Sequence, residues 1–357
     1  MLLTRRDWLG AGLALTGVLA SPGVFAAVDG CGWLDGRTMT FIVPFPAGGG
    51  YDTYARLLAT AFGKLTGVQV AVSNLASSPV GAMAIRDSRP DGLTVGILHG
   101  GEVMFRRLLE GADQPDLFRT FTVLGQVADT PTVWVVSAKS DVKTVDDLVA
   151  LAARRPILAG VRTVNGADFA GFVSITHIAG MPLEVVPGYK GSGEVLLSLA
   201  RGEIDLASYS AASVQPFIES GEARPILQLA SRPVPDAPFL DNVPVLAGPG
   251  GWLVQRATQR GAAPDAALLQ ADGLASALGQ PRVVVAPAGL EPAAADCLRR
   301  LFMAAVAEPS MVEGAAAAKQ PLDPLPGGET VERLRAAAPL LEELLPVIRD
   351  AQRRVRS

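Results

Sequence analysis

The chain has 357 residues, 49% hydrophobic and 18% charged. That length exceeds one ordinary core and suits two α/β lobes behind a leader, while the apolar share excludes an intrinsically disordered chain. The net charge is −4 and the basic residues are scattered, with no aromatic-interleaved basic stripe, which argues against a nucleic-acid surface.

The N-terminus reads as a targeting segment. Thr4-Arg5-Arg6-Asp7-Trp8-Leu9 precedes an apolar stretch over 10–20, followed by Ser21-Pro22 and a small-residue exit at Val24-Phe25-Ala26-Ala27. This pattern predicts a signal peptide over 1–27, cleaved near Ala26 or Ala27, and a periplasmic destination. The paired arginines resemble a twin-arginine export signal, favoured here over the general secretory route. The apolar stretch is too short for a good spanning helix. Two cysteines, Cys31 and Cys297, lack the spacing of a structural zinc site. In an oxidising compartment they can pair if both ends of the mature chain share a lobe; pairing and free thiols both stay open.

Beyond the leader the pattern is strand, glycine loop, helix, strand. Residues 39–43 form an apolar run, 52–65 has helical period, 68–72 is β-rich and 94–98 continues the sheet. Gly67 stands where a left-handed helix cap is wanted. After the apolar run 132–136, Thr144 with Asp147 makes a capping-box-like helix start. A second βα series follows, with strands at 157–161, 184–186, 204–208 and 226–230 and helices at 167–179 and 193–201. The proline-rich stretch 232–249 breaks this series. A strand at 282–286, a helix at 293–307 and a long helix at 330–354 then complete the first lobe, and 255–280 reads as an insertion or divergent segment. The predicted division is lobe 1 over 28–130 and 233–357 and lobe 2 over 131–232.

Catalytic partners are scarce, so no enzyme activity, metal or cofactor is expected. His177 lies in a helical run and reads as a packed or surface residue. His99 follows a strand and precedes Gly100-Gly101, at the carboxyl end where open α/β sheets bind ligands. Pro44-Phe45-Pro46-Ala47-Gly48-Gly49-Gly50 leads from the first strand into a helix. Its glycines leave backbone N–H groups uncovered beside the positive end of a helix dipole, which suits a carboxylate. Without a following Gly-Lys-Ser/Thr it is no P-loop, and it lacks the dinucleotide fingerprint. Asp52 reads either as an acidic first-turn residue or as an acceptor for a ligand hydroxyl, amine or water. Tyr189-Lys190-Gly191-Ser192-Gly193 repeats the strand, turn and helix arrangement in the second lobe, and Asn165-Gly166-Ala167-Asp168 offers a third helix start.

These residues resemble the periplasmic substrate-binding receptors of tripartite tricarboxylate transporters, or Bug receptors. The family's Pro-Phe-Pro-x-Gly-Gly-x-x-Asp-x-x-Ala-Arg is matched from Pro44 through Asp52 to Arg56, and its Pro-Asp-Gly by Pro90-Asp91-Gly92. Gly188-Tyr189-Lys190-Gly191 and Gly202-Glu203-Ile204-Asp205 match two further segments. The departures are Asn74-Leu75-Ala76-Ser77-Ser78-Pro79-Val80-Gly81, where most of the family's glycines are replaced, and Thr163 to Phe169, where Phe169 replaces a histidine. The resemblance implies a two-lobed, type II-like Venus-flytrap periplasmic-binding-protein fold with a ligand cleft between α/β lobes. It also implies capture of a small organic acid, a di- or tricarboxylate, amino acid or aromatic acid, for membrane permease subunits. The expected ligand-binding residues are Phe45, Ala47, Gly48, Gly49, Asp52, Ser77, Ser78, His99, Gly100 and Thr130 in lobe 1. In lobe 2 they are Asn165, Gly166, Asp168, Tyr189, Lys190, Gly191, Ser192 and Asp205. The alternatives are a sensor subunit for a membrane kinase and an exported hydrolase using Ser192 or Ser208.

Overall fold

The computed structural model describes residues 28–75, 77–111, 113–234 and 237–356; the expected signal peptide over 1–27 lies outside them. Strand β1 (Thr38–Val43) buries Met39, Phe41, Ile42 and Val43 and feeds the glycine loop and helix α1 (Gly50–Thr66). Gly67 closes α1 in the left-handed region at φ 75°, where its N–H donates to the Gly63 carbonyl. Strand β2 (Gln69–Asn74), helix α2 (Ser78–Arg86), strand β3 (Thr94–His99) and helix α3 (Gly100–Glu110) follow. Strand β4 (Phe121–Thr130) passes through Pro131 into β5 (Thr132–Ser137), carrying the chain into the second lobe.

That lobe comprises α4 (Val145–Ala152), β6 (Ile157–Gly160), α5 (Ala167–Ala179), β7 (Leu183–Val186), α6 (Ser192–Arg201), β8 (Ala207–Ser210), α7 (Ala211–Glu219) and β9 (Ala223–Leu229). Helices α8 (Trp252–Gln259) and α9 (Pro264–Leu278) then lead back to β10 (Gln280–Pro287). Helices α10 (Pro292–Val306) and α11 (Pro309–Ala317), the short β11 (Leu325–Pro326) and α12 (Gly327–Arg356) end the fold.

The first lobe is built on one sheet in the order β11-β4-β10-β3-β1-β2, with β1 parallel to β2 and β3 and with β10 antiparallel to β3 and β4. In the second lobe, β5 lies antiparallel between β8 and β9, and β6 runs parallel to β7. A parallel bridge between Ala159 and Leu206 joins these two sheets into one surface. The chain crosses between the lobes at two adjacent points, β4 to β5 and α9 to β10, tied where the Thr132 hydroxyl donates to the Leu278 carbonyl at 2.9 Å.

One apolar cluster runs from Ile42, Ile85 and Phe105 in the first lobe to Trp134, Phe169 and Phe172 in the second, through α9 and α12. Phe169, in the first turn of α5, is fully buried in it. A second cluster, around Phe41, Tyr54 and Phe302, fills the other face of the first sheet.

Several elements escape the sequence pattern. Strand β4 includes Gly125, Gln126 and Asp129, so it lacks clean alternation, yet pairing with β10 and β11 makes it a central strand. Helices α2, α3 and α7 also went unpredicted, and the strand expected at 204–208 begins at Ala207. The stretch 255–280, expected as an insertion or divergent segment, is packed into the fold: α8 and α9 pack on α5, and α9 also packs on α12. His177 is exposed on α5.

The predicted helix start at Thr144 is a complete capping box. The Asp147 N–H donates to Thr144 Oγ1 at 3.1 Å, and the Thr144 N–H donates to Asp147 Oδ2 at 2.9 Å. Thr144→Ala should lower the free energy of unfolding by about 1 kcal/mol in urea titrations, and an unchanged midpoint would show the box to be idle.

Candidate functional site

A cleft of about 360 Å³ opens between the lobes, a size suited to a small molecule. Its first wall is the loop between β1 and α1. Gly48 sits at φ 85°, and its N–H donates to Asp52 Oδ2 at 2.9 Å. The same carboxylate accepts Arg56 Nε at 2.9 Å and Asn74 Nδ2 at 3.0 Å, and Asn74 Nδ2 also reaches the Phe45 carbonyl at 3.1 Å. Burial opposes ionisation of Asp52, but these hydrogen bonds outweigh it and hold the carboxyl below its ordinary range. Asp52 therefore braces the loop and does not line the cleft, which corrects the ligand-acceptor reading. The braced loop presents Phe45, Ala47 and Gly49 to the cleft.

The turn-closing N–H at the start of α1 is that of Thr53, which donates to the Gly49 carbonyl. The N–H groups of Gly50, Tyr51 and Asp52 are then first-turn donors without an intrahelical acceptor, at the positive end of the helix dipole. Tyr51 lines the cleft, its ring 4.2 Å from that of Phe45.

His99 ends β3 and caps α3, its Nδ1 accepting the Glu102 N–H at 3.3 Å. With Nδ1 an acceptor, the ring proton sits on Nε2, and the ring faces the cleft as a neutral group. Burial pushes its pKa down to about 4, with Arg162 and Arg282 acting in the same direction and Glu102 against it. Glu102 is itself buried in the cleft wall, its Oε2 3.6 Å from Arg162 Nη2 across the lobe boundary.

The second wall begins two residues beyond β6 at Arg162 and includes Asp168, in the first turn of α5. Burial pushes the Asp168 carboxyl upward against the opposing charge of Arg162. Lys190, Gly191 and Ser192 line the cleft at the start of α6. Tyr209 comes from β8, and Leu278 and Gln280 from the second crossing.

Of the sequence-predicted residues, the cleft thus gathers Phe45, Ala47, Gly49, His99, Asp168, Lys190, Gly191 and Ser192. The others have structural roles. Gly48 shapes the loop. Ser77 precedes α2, and Ser78 lines a separate small hollow beside Arg106. Gly100 packs where a side chain would meet Val283 and Leu334. Thr130 Oγ1 receives Arg282 Nη1 within the first lobe. Asn165 Nδ2 donates to Glu110 Oε1 at 2.6 Å, and Gly166 caps α5. The Tyr189 hydroxyl bonds Ser198 Oγ at 2.8 Å, and Asp205 takes a two-pronged bond from Arg155 at 2.6 and 2.8 Å.

Sequence reasoning missed Tyr51, Glu102, Arg162 and Tyr209. Tyr51 and Glu102 had a usable signal, since each sits in the first turn after a residue already singled out. Arg162 had a weaker one, as the cation just past a strand's carboxyl end. Tyr209 had none, because nothing in β8 marks which face meets the other lobe.

Comparison with known proteins gives a consistent relationship. A family model described as "Tripartite tricarboxylate transporter family receptor" matches residues 54–244. A protein of Agrobacterium vitis named for the TAR-I ttuE-ttuC' intergenic region is 29% identical over 212 residues, 57% of this chain and 60% of the relative. The matched part therefore spans less than two thirds of that relative. Among solved structures, the periplasmic binding protein BugD superposes with a TM-score of 0.67 at 20% identity, covering 88% of this chain and 98% of BugD. A protein of R. palustris solved with adipate gives 0.67 at 22% identity, covering 88% and 97%. At these identities the two structures establish the two-lobed fold.

Proposed function

Because this chain belongs to the receptor family of tripartite tricarboxylate transporters, we propose that it is exported, captures a small carboxylate in the cleft between its lobes, and delivers it to membrane permease subunits. The observation that carries the ligand class is the first wall: glycine backbone and first-turn N–H groups of α1, braced from behind by Asp52, facing a cavity of small-molecule size. Adipate in the R. palustris relative supports the same class. A bond between Cys31 and Cys297 supports an oxidising compartment, and so export. Lobe closure around the solute is the change a permease would read.

A hydrolase is less well supported. Ser192 and Ser208 both line the cleft, but neither bonds to His99 among the described residues, and His99 Nδ1 is already occupied by the Glu102 N–H.

A thermal-shift screen against mono-, di- and tricarboxylates, amino acids, aromatic acids and neutral sugars tests the reading. The matching acid should stabilise the fold by about 2.7 kcal/mol at a hundredfold excess over its Kd. Shifts with sugars alone would rule out the carboxylate class. Gly49 has extended backbone at φ −83° and ψ 168°, and an added Cβ would meet nothing nearer than the Pro46 carbonyl at 3.7 Å. Gly49→Val should therefore fold normally yet bind the acid about tenfold or more weakly, because the side chain blocks ligand approach to the backbone donors. Unchanged affinity would remove this loop from the site.

A further inference from the structure

The cleft is lined by charge of both signs, Glu102 from the first lobe and Arg162, Asp168 and Lys190 from the second, and Glu102 faces Arg162 across the lobe boundary. On the first wall, Tyr51 is 8% exposed and its hydroxyl has no hydrogen-bond partner among the described residues. The guanidinium carbon of Arg282 lies 5.0 Å from the centroid of the Tyr51 ring. Arg282 is 2% exposed, with no carboxylate within ion-pair distance among the described residues. A buried cation behind the phenol and helix-start N–H groups beside it make this wall favourable to negative charge.

The second wall adds a carboxylate beside the cations Arg162 and Lys190. Tyr209 is also 8% exposed and lines the cleft, and its hydroxyl too lacks a partner among the described residues. Asp168 shares this wall, accepting backbone N–H groups from Phe169 at 3.0 Å and Arg162 at 3.4 Å. No side-chain cation lies within 4 Å of its carboxylate among the described residues, since the Arg162 guanidinium reaches across to Glu102 at 3.6 Å. A ligand bearing only carboxylates would set like charge against Asp168 in a poorly solvated cleft. A ligand with an ammonium group meets that carboxylate with opposite charge.

We propose that the solute is an amino carboxylate, its carboxylate held by Tyr51 and the first turn of α1 and its ammonium group by Asp168, with the Tyr209 hydroxyl completing the second wall. This rests on the carboxylate-receptor reading and narrows it. The two phenol hydroxyls, one from each lobe, have no protein partner among the described residues, and such a ligand bridging the closed cleft supplies both.

Calorimetric titration of the full chain with matched pairs decides the point: aspartate against succinate, glutamate against glutarate, and 2-aminoadipate against adipate. In the pair of fitting length, the amino member should bind at least about tenfold more tightly. Asp168→Asn should reduce that preference to about threefold or less, while the melting temperature of the unliganded variant stays near wild type. Should Asp168→Asn fail to fold, the wild-type pairs decide alone. Diacids binding as tightly as their amino partners in every pair would overturn the proposal and leave the carboxylate reading standing. Binding by neither class would remove both.

Discussion

Replacing Cys31 and Cys297 together by alanine should lower the free energy of unfolding by about 2–4 kcal/mol, towards the upper end of that range. The bond spans 266 residues, so in the unfolded chain it closes a loop that contains the whole second lobe. Both residues are fully buried, Cys31 beside the turn before β1 and Cys297 on α10, within the cluster that holds Phe41 and Phe302. Without the bond, the segment before β1 keeps its hold on the first lobe through Arg300, whose Nε and Nη2 donate to the Asp29 carbonyl at 3.1 and 2.9 Å, and through the buried Leu34. Urea unfolding of the double variant, and of wild type with and without a thiol reductant, measures the effect. Coincident transitions would show that the fold does not depend on this tether.

Asp129→Asn should act in the opposite sense near neutral pH. Asp129 lies on β4 at the first crossing and is paired to Arg333 at 2.6 Å, yet its carboxyl is pushed up to about 6. Burial is the main cause and Asp323 adds to it, against Arg333 and Arg282. A carboxyl whose folded pKa exceeds its ordinary value stabilises the fold fully at low pH. That contribution is lost as pH rises from about 4 through about 6. At about 1.36 kcal/mol per unit, the loss amounts to about 3 kcal/mol. The asparagine variant should therefore be about 2–3 kcal/mol more stable than wild type at pH 7.5 and should converge with it near pH 4. Carboxyls held low, such as Asp52 and Asp205, give wild type a trend of the other sign at lower pH. The difference between variant and wild type is thus the quantity to follow. A difference independent of pH would mean that Asp129 titrates at its ordinary value.

Much of the fold was legible because it follows from local patterns. The apolar run of β1, the helical face of α1, the left-handed Gly67 and the capping box at Thr144 each require only residues within a few positions of one another. The glycine wall was legible for the same reason, since a loop between a strand and a helix start creates its own donors. Strand β4 was not, because its polar residues are satisfied by partners far along the chain. Gln126 Nε2 donates to the Asp323 carbonyl at 3.0 Å, and Asp129 pairs with Arg333.

Within the cleft the division is sharper. Asp52 and Asp168 are both acidic residues in the first turn of a helix after a glycine, and sequence pattern does not separate them. Asp52 is consumed by Gly48, Arg56 and Asn74, whereas Asp168 is left facing the cleft because Arg162 is drawn across to Glu102 of the other lobe. By itself the sequence determined two α/β lobes, their helix starts and one wall suited to an anion, all consequences of short-range backbone geometry. Tertiary structure alone decided which side chains face the cleft and which are spent on the scaffold, because a polar group's role depends on whether a distant partner satisfies it first.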